Sequence, residues 1–347
     1  MKEATFSILN SQKYLAMRNH YIDRISNIFS GKASRNEVFL LNGVYGTSSY
    51  DPYMEPELWM SESLDYLAAE VSKLADPTVF RPLCIEFGPY GVHFIDKIFG
   101  CEVFYNESSQ QWYNKYLDTP IGQLELPDID KDETWILAKR IAKAFLASNT
   151  SLPFFGLPTI ASPLNVAVNL YGENILLEMC VDPEMAKHDL NIINQVLCSM
   201  HKWYIDNIPA HQLQPVVSGH RTQPPGFGQI CGCTTQLLSD SMYKDIIAPF
   251  DDKLLSIYPN GGMIHLCGSH TQHIPVWREM NSLRSLQLND RAAADLEQYY
   301  NELRDDQIIY LNPCEEMTSK RAMEITKGYR MVLVTDNTDF TDIISNY

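Results

Sequence analysis

The chain has 347 residues, a formal net charge of −16 and 45% hydrophobic residues. This apolar content is too high for a disordered chain, and the acidity excludes a protein that binds nucleic acid or an anionic membrane through a basic surface. The length fits two domains of about 150 residues each, or one α/β barrel of about 250 residues with insertions. No segment resembles a secretory signal or is long and apolar enough to span a membrane. We therefore expect a soluble, cytoplasmic protein whose eight cysteines are thiols.

Short apolar runs alternate with helical patterns along the chain. The predicted strands are Glu37–Leu41, Pro82–Phe87, Pro153–Leu157, Gly228–Cys233, Gly262–Leu266, Leu283–Leu288, Gln307–Leu311 and Arg330–Val334. The predicted helices are Met60–Leu74, Thr134–Ala147, Pro183–Tyr204, Ser241–Leu254, Ile274–Met280, Arg291–Leu303 and Thr318–Lys327. Alternation of this kind predicts parallel strands joined by crossover helices. Residues 1–35 also have a helical pattern and form a predicted N-terminal extension.

A closed barrel and an open, doubly wound sheet share this alternation. The glycine clusters at Gly43–Gly46 and Gly226–Gly232 lack the spacing of a dinucleotide-binding turn, which would support the open sheet. Eight strand–helix units favour a single (β/α)8 TIM barrel over residues 1–347, and the active site is then expected on the loops after the strands.

The pair His265 and Cys267 lies at the end of the fifth predicted strand. Residues two apart on a strand point to the same side, so the imidazole and the thiol converge at the barrel mouth. Both are groups that zinc prefers, and a thiol beside an imidazole is also a candidate nucleophile. A buried histidine next to a buried cysteine is the plain structural alternative. A third ligand is available from Cys231 or Cys233 at the end of the preceding strand, or from Cys314 after the strand that ends at Leu311.

Several blocks in order resemble the uroporphyrinogen decarboxylase family. They are Leu157–Gly172 followed by Val181-Asp-Pro-Glu, the helix Ser239–Phe250, the strand Ile264-His-Leu-Cys-Gly, and Asn312-Pro near the end of the chain. The resemblance extends from about residue 20 to residue 337 and implies a single (β/α)8 barrel. One branch of the family decarboxylates a tetrapyrrole without a cofactor. The other contains zinc-dependent methyltransferases that act with corrinoid proteins and bind zinc through an H-x-C pair and a later cysteine.

The chain departs from the decarboxylase branch at the loop after the first strand. That branch has an arginine-containing segment there, which binds substrate carboxylates and precedes a catalytic aspartate, whereas residues 41–53 contain no arginine. Asp51 lies in this loop, where a turn role is its plain interpretation. Arg221 is the one arginine that we place near the carboxyl end of a strand, and we predict that it binds substrate. A polycarboxylate substrate would need more cationic groups than this.

The methyltransferase branch is the better match, and it assigns roles to the residues at the strand ends. The resemblance implies that His265 and Cys267 bind zinc, that Cys314 is the third ligand, and that Asp290 is a catalytic carboxylate near the metal. The third thiol that relatives carry after the last strand is missing from Val334–Asp339, so Cys314 or Cys233 would have to replace it. Bound zinc would turn an incoming thiol into a thiolate that attacks a corrinoid methyl group.

Two further functions stay open at this point, together with the partners. The chain could be a cofactor-free decarboxylase of a smaller acid, or a non-catalytic protein that binds a corrinoid or another small molecule. A corrinoid protein is the expected macromolecular partner, and a homodimer is possible. No nucleic-acid or membrane partner is expected.

Overall fold

The computed structural model describes residues 1–34, 37–214 and 219–335. Its strands are β1 Leu40–Leu41, β2 Val44–Tyr45, β3 Val79–Phe80, β4 Leu83–Ile85, β5 Val103–Asn106, β6 Gln111–Asn114, β7 Phe154–Gly156, β8 Leu213–Gln214, β9 Gly228–Cys231, β10 Gly262–Leu266, β11 Leu283–Leu288, β12 Ile308–Leu311 and β13 Met331–Val334. Its α-helices are α1 Glu3–Leu9, α2 Gln12–Phe29, α3 Pro56–Ala69, α4 Phe94–Ile98, α5 Glu133–Ala147, α6 Pro163–Tyr171, α7 Asn174–Val181, α8 Pro183–Asn207, α9 Asp240–Met242, α10 Ala248–Ser256, α11 Ile274–Glu279, α12 Arg291–Ala294, α13 Leu296–Glu302 and α14 Ser319–Thr326.

The strands form an α/β architecture that is mainly parallel. One sheet has the order β3-β1-β13-β12-β11-β10-β9, and a second has the order β2-β4-β7-β8. Two chain segments join the sheets, because β1 continues into β2 after Asn42-Gly43 and β3 continues into β4 after Arg81-Pro82. The strand pairings in the described part of the chain do not join β8 to β9, and residues 215–218 between them lie outside it. The predicted α/β class is confirmed, whereas a closed ring of strands is not established by these pairings.

The predicted strands agree best with the structure in the second half of the chain. The bounds of β10 and β11 are those expected from the sequence, and all five residues of β10 are buried. Strands buried on both faces read as continuous apolar runs, which makes them visible in the sequence. The prediction missed β8 and the antiparallel β5–β6 hairpin, in which Phe104, Tyr105 and Tyr113 are exposed and Trp112 is half-buried.

The helices begin and end mostly where the sequence predicts. Asp182 caps α8, since its carboxylate accepts a hydrogen bond from the Met185 backbone N–H. The predicted helix Ser241–Leu254 is α9, a π-helical turn over Tyr243–Ile247, and α10 in succession. The helix predicted from Met60 begins earlier, at Pro56. Proline is tolerated at the first position of a helix, because the backbone N–H groups of the first turn have no partner within the helix.

Helices α1 and α2 correspond to the predicted N-terminal extension, although residue 35 lies outside the described part. They bury Leu9, Ile25 and Phe29 in one hydrophobic core that continues to Val334. The Arg18 side chain of α2 is buried, and it donates hydrogen bonds to the carbonyl oxygens of Ser151 and Leu152 at 2.7 and 3.0 Å. None of the helices in the described ranges could cross a membrane.

We expect Arg18→Met to lower the free energy of unfolding by about 1–3 kcal/mol, because it leaves two carbonyl oxygens without their donors. Urea denaturation measures the change. Arg140→Met is the matched control: Arg140 is half exposed in its ion pair with Glu57, and removing such a pair costs about 1 kcal/mol or less. Equal losses of unfolding free energy in the two variants would show that the hydrogen bonds of Arg18 do not stabilise the N-terminal extension.

Candidate functional site

A cavity of about 580 Å³ lies where the carboxyl ends of β4, β7, β9 and β10 meet. Its lining comprises Gly88, Gly91, Val92, Pro158, Thr159, Ile160, Ala161, Asn165, Asn169, Arg221, Cys231, Cys233 and His265. A more open depression of about 770 Å³ near Lys2 and Glu62 has no cysteine or histidine in its lining. The chemistry therefore identifies the smaller cavity as the candidate site, and parallel α/β folds bind ligands at this end of their strands.

Strand register sets the neighbours of His265. In the pairing of β9, β10 and β11, Cys231 lies beside His265 and His265 lies beside Gln287. Paired positions of parallel strands point their side chains to the same face of the sheet, so the three side chains form a row. His265 is buried, with 6% of its surface exposed.

Gly232 brings Cys233 to the same place. A Cβ atom at this position would lie 2.6 Å from Ile264 Cγ2 and 3.0 Å from Leu266 Cδ2, so only glycine lets the chain pass this close to β10. The Gly232 N–H donates to the His265 carbonyl oxygen at 2.8 Å. Cys231 and Cys233 consequently both face the cavity.

Four side chains converge here, and we call them the thiol–histidine group: Cys231, Cys233, His265 and Cys267. One ligand atom from each of Cys231, Cys233 and His265 lies within 4.8 Å of the others. The Cys267 sulfur lies 3.1 Å from His265 Nε2 and receives hydrogen bonds from Cys233 and Asn289. The predicted pair His265 and Cys267 is thus together, and its additional thiols come from β9.

The thiols of this group differ in protonation. Hydrogen bonding with Cys233 lowers the pKa of Cys231 and of Cys267, and His265 lowers both further. The pKa of Cys233 is raised, because its one S–H proton is shared with the two neighbouring sulfurs and because burial beside them disfavours a third thiolate. Cys231 and Cys267 are therefore the thiolates of the group, which is the form in which cysteine binds metal.

Gln287 orients the imidazole of His265. Gln287 Nε2 donates to Asn312 Oδ1, so its Oε1 faces His265 Nδ1 and accepts the hydrogen bond from that nitrogen. Nε2, the other ring nitrogen, lies 3.1 Å from the Cys267 sulfur and is the ring atom that could bind a metal. Ligand histidines are commonly held by such a partner on their other nitrogen.

The donor set and its spacing fit a zinc ion. Zinc lies about 2.3 Å from cysteine sulfur and about 2.0 Å from histidine nitrogen, which places tetrahedral ligand atoms roughly 3.3–3.8 Å apart. Atoms already within 4.8 Å need only a small contraction to reach that geometry.

A second polar pair borders the thiols. The Arg221 guanidinium interacts electrostatically with Cys231, Cys267, Glu86 and Cys233, and burial lowers its pKa. Glu86 follows β4, and its buried Oε1 has no hydrogen-bond partner in the described part of the chain. Burial raises the pKa of Glu86 to about 8, against a smaller opposite effect of Arg221, so its carboxyl group is mostly protonated at pH 7.

The other predicted site residues lie elsewhere. Cys314 packs against the hydrophobic core, and within the described ranges it is not in the thiol–histidine group. Asp290 is exposed at the start of α12 with φ of 48°, and its carboxylate accepts from Asn289 rather than facing the cavity. Asp51 accepts the Tyr53 backbone N–H, as expected of a turn residue. Part of the predicted thiol-free stretch, residues 336–339, lies outside the described residues.

The sequence interpretation missed Glu86, Gln287 and Asn289. Glu86 and Gln287 each interrupt a predicted apolar strand, and a polar residue in such a run is the signal that could have identified them. Asn289 is adjacent to the predicted Asp290, and its side chain is the one that contacts Cys267.

Comparison with known proteins relates the chain to a methyltransferase at the level of fold. The structure is similar to that of a methyltransferase from Methanosarcina mazei, with a TM-score of 0.63 and 12% sequence identity over 90% of this chain and 92% of the other. No protein-family model matches the sequence, and a search of curated proteins finds no match. At this identity the likeness establishes a shared fold.

The protonation of Glu86 predicts how stability depends on pH. The folded state keeps this proton up to about pH 8, whereas the unfolded chain loses it near the ordinary value of 4.5. Glu86 therefore lowers the free energy of unfolding as pH rises between these values, by at most about 1.4 kcal/mol per pH unit.

Glu86→Gln should reduce this slope, measured by urea denaturation at pH 5.0, 6.5 and 8.0 with a chelator present. The contribution of Asp251, whose pKa burial also raises to about 8, is present in both proteins and cancels in the difference between them. Identical pH dependence in the variant and the wild type would mean that Glu86 is ionised in the folded protein.

Proposed function

We propose that the chain is a zinc-dependent methyltransferase that moves a methyl group between a corrinoid protein and a thiol acceptor. One observation carries the proposal: three thiols and one imidazole converge at the end of a cavity, where the strands end. The fold shared with a methyltransferase supports it. Included in the proposal are a closed (β/α)8 barrel, supported by the parallel strand order, and a relation to the uroporphyrinogen decarboxylase superfamily, supported by the sequence blocks.

We infer that three residues of the thiol–histidine group bind the zinc ion. A catalytic zinc site has three protein ligands and one position for substrate, and the cavity beside Cys231, Cys233 and His265 would admit the substrate to that position. When bound, zinc would lower the pKa of a coordinated thiol and keep it as a thiolate at neutral pH.

The chain's own residues would do the remaining work. Gln287 would hold His265 with Nε2 free for the metal, and Asn289 would orient the Cys267 sulfur. The walls after β7 and on α6, including Ile160 and Asn165, would position the acceptor and exclude water from the thiolate.

The decarboxylase alternative is weaker on electrostatic grounds. Arg221 is the one lysine or arginine among the described residues that line the cavity. A substrate with several carboxylates would leave most of its charges unpaired there.

The metal ligands can be tested by elemental analysis of purified variants. We expect about one zinc per wild-type chain and a large loss of zinc in His265→Ala. Two of the three variants Cys231→Ala, Cys233→Ala and Cys267→Ala should also lose zinc, and the third variant then identifies the thiol that does not bind the metal. Gln287→Ala should weaken zinc binding by about 10–100-fold, since it frees the imidazole to rotate. Cys314→Ala is the control and should retain the metal. Loss of zinc in that variant alone would restore Cys314 as a ligand and overturn the assignment to β9.

The reaction can be tested with free methylcobalamin as the methyl donor and 3-mercaptopropionate as the acceptor. We expect thiol-dependent loss of the methylcobalamin absorbance and formation of the S-methyl product. His265→Ala should abolish both, while Cys180→Ala, at an exposed cysteine, should leave them unchanged. A purified protein that contains no metal, and whose His265→Ala variant retains full activity, would contradict the proposal. Binding of the corrinoid without methyl transfer would instead indicate a non-catalytic corrinoid-binding protein.

A further inference from the structure

Arg221 and its electrostatic neighbour Glu86 have unused hydrogen-bonding capacity. The Arg221 guanidinium lines the cavity and makes no hydrogen bond or ion pair within 4 Å to any described residue. Glu86 lies behind it rather than in the lining, and its buried Oε1 has no hydrogen-bond partner in the described part of the chain. Buried polar groups in proteins are almost always paired, so an unpaired guanidinium on the cavity wall with an unpaired carboxyl group next to it indicates a binding place for a polar molecule.

The chemistry of the pair selects the kind of molecule. A guanidinium presents N–H donors in a planar fork that matches a carboxylate or another oxyanion. A protonated carboxyl group adds an O–H donor, whereas an ionised one would repel an anion. Among the described residues, Glu86 interacts electrostatically with Arg221 and with the Cys84 thiol. No carboxylate of the described chain therefore competes with a ligand anion beside Glu86 and Arg221.

We propose that Glu86 and Arg221 form an oxyanion subsite, which binds a carboxylate-like group of the methyl acceptor while its sulfur reaches the thiol–histidine group. The inference rests on the proposed function for the identity of the sulfur ligand. It assigns Glu86 a specificity-determining role: as the neutral acid it donates to the anion and leaves the charge of Arg221 uncompensated by a neighbouring carboxylate.

A competing role for Arg221 makes a different prediction. Arg221 also interacts with the sulfurs of Cys231 and Cys267, and it could serve only as their countercharge. A countercharge would affect every sulfur ligand in the same way, with or without an anionic group. An oxyanion subsite distinguishes ligands that differ in that group alone.

Two thioethers separate these roles: 3-(methylthio)propionate and 3-(methylthio)propan-1-ol. They differ in a carboxylate against a hydroxymethyl group, and neither has a thiol that titrates. Binding to the zinc-loaded full chain is measured by calorimetry at pH 7 and pH 9. At pH 7 we expect the carboxylate to bind about 10–100-fold more tightly than the alcohol, in the range of a charge-assisted hydrogen-bonded pair.

Variants then assign the preference to the two residues. Arg221→Gln should abolish the preference by weakening binding of the carboxylate far more than binding of the alcohol, and Arg221→Lys should keep part of the preference. At pH 9 the wild type should lose most of the preference as Glu86 ionises, whereas Glu86→Gln should keep it. Arg81→Gln, which alters a cation lining a different cavity, is the matched control. Near-ultraviolet circular dichroism confirms that each variant is folded.

Each outcome is decisive. Equal weakening of both ligands by Arg221→Gln would leave Arg221 as a countercharge only, and the absence of a preference in the wild type, or of carboxylate binding at millimolar concentration, would equally overturn the subsite. Binding that shows the preference in a protein without methyl transfer would retain the subsite and overturn the proposed function. Methyl transfer to neutral and anionic thiols at equal rates would retain the proposed function and overturn the subsite.

Discussion

Hydrogen bonding between three adjacent parallel strands sets the geometry on which the candidate site depends. The pairing of β9, β10 and β11 places Cys231, His265 and Gln287 in one row. A shift of one residue in the register of β10 would turn His265 to the other face of the sheet and separate it from both partners. The close approach of Gly232 to Ile264 then adds Cys233 to the row. The ladder therefore brings together thiols that are more than thirty residues from the histidine in the sequence.

The fold could be predicted where burial is continuous and could not where strands are short or exposed. Strands β10 and β11 are almost wholly buried, and their bounds follow from the sequence although polar residues such as His265 and Gln287 interrupt their apolar runs. The strands predicted at Glu37–Leu41 and Pro82–Phe87 are instead each one half of a longer segment that breaks at Asn42-Gly43 or at Arg81-Pro82. Proline has no N–H for a strand ladder, and no local pattern reveals that the chain resumes pairing with a different neighbour. Strand β8 has only two residues, too few for any periodicity.

The site could be predicted to the extent that its residues are close in sequence. Spacing alone places His265 and Cys267 on one side of a strand, and the structure brings them to 3.1 Å. The choice between Cys233 and Cys314 as an additional thiol depends on which strand ends are neighbours, and spacing carries no such information. The protonation of Glu86 could not be predicted for a different reason: it follows from burial and from the absence of a partner among the described residues, which are properties of the folded chain. Asp290, the expected carboxylate, is exposed where the chain turns with a positive φ, and the side chain that contacts the Cys267 thiol is that of the neighbouring Asn289.

The net charge of −16 belongs to the whole chain and does not determine the electrostatics of the cavity. Exposed charges farther apart than about 8–10 Å are screened by salt, whereas buried groups interact through a medium of lower dielectric constant. Within the cavity, the local balance is set by the Arg221 cation, the thiolates of Cys231 and Cys267, and a Glu86 carboxyl that burial keeps neutral. A metal dication bound by those thiolates would offset their charge and increase the effective positive charge that an entering ligand meets at Arg221. An acidic protein can thus present a local site for an anion, provided that the carboxyl group nearest to the cation remains protonated.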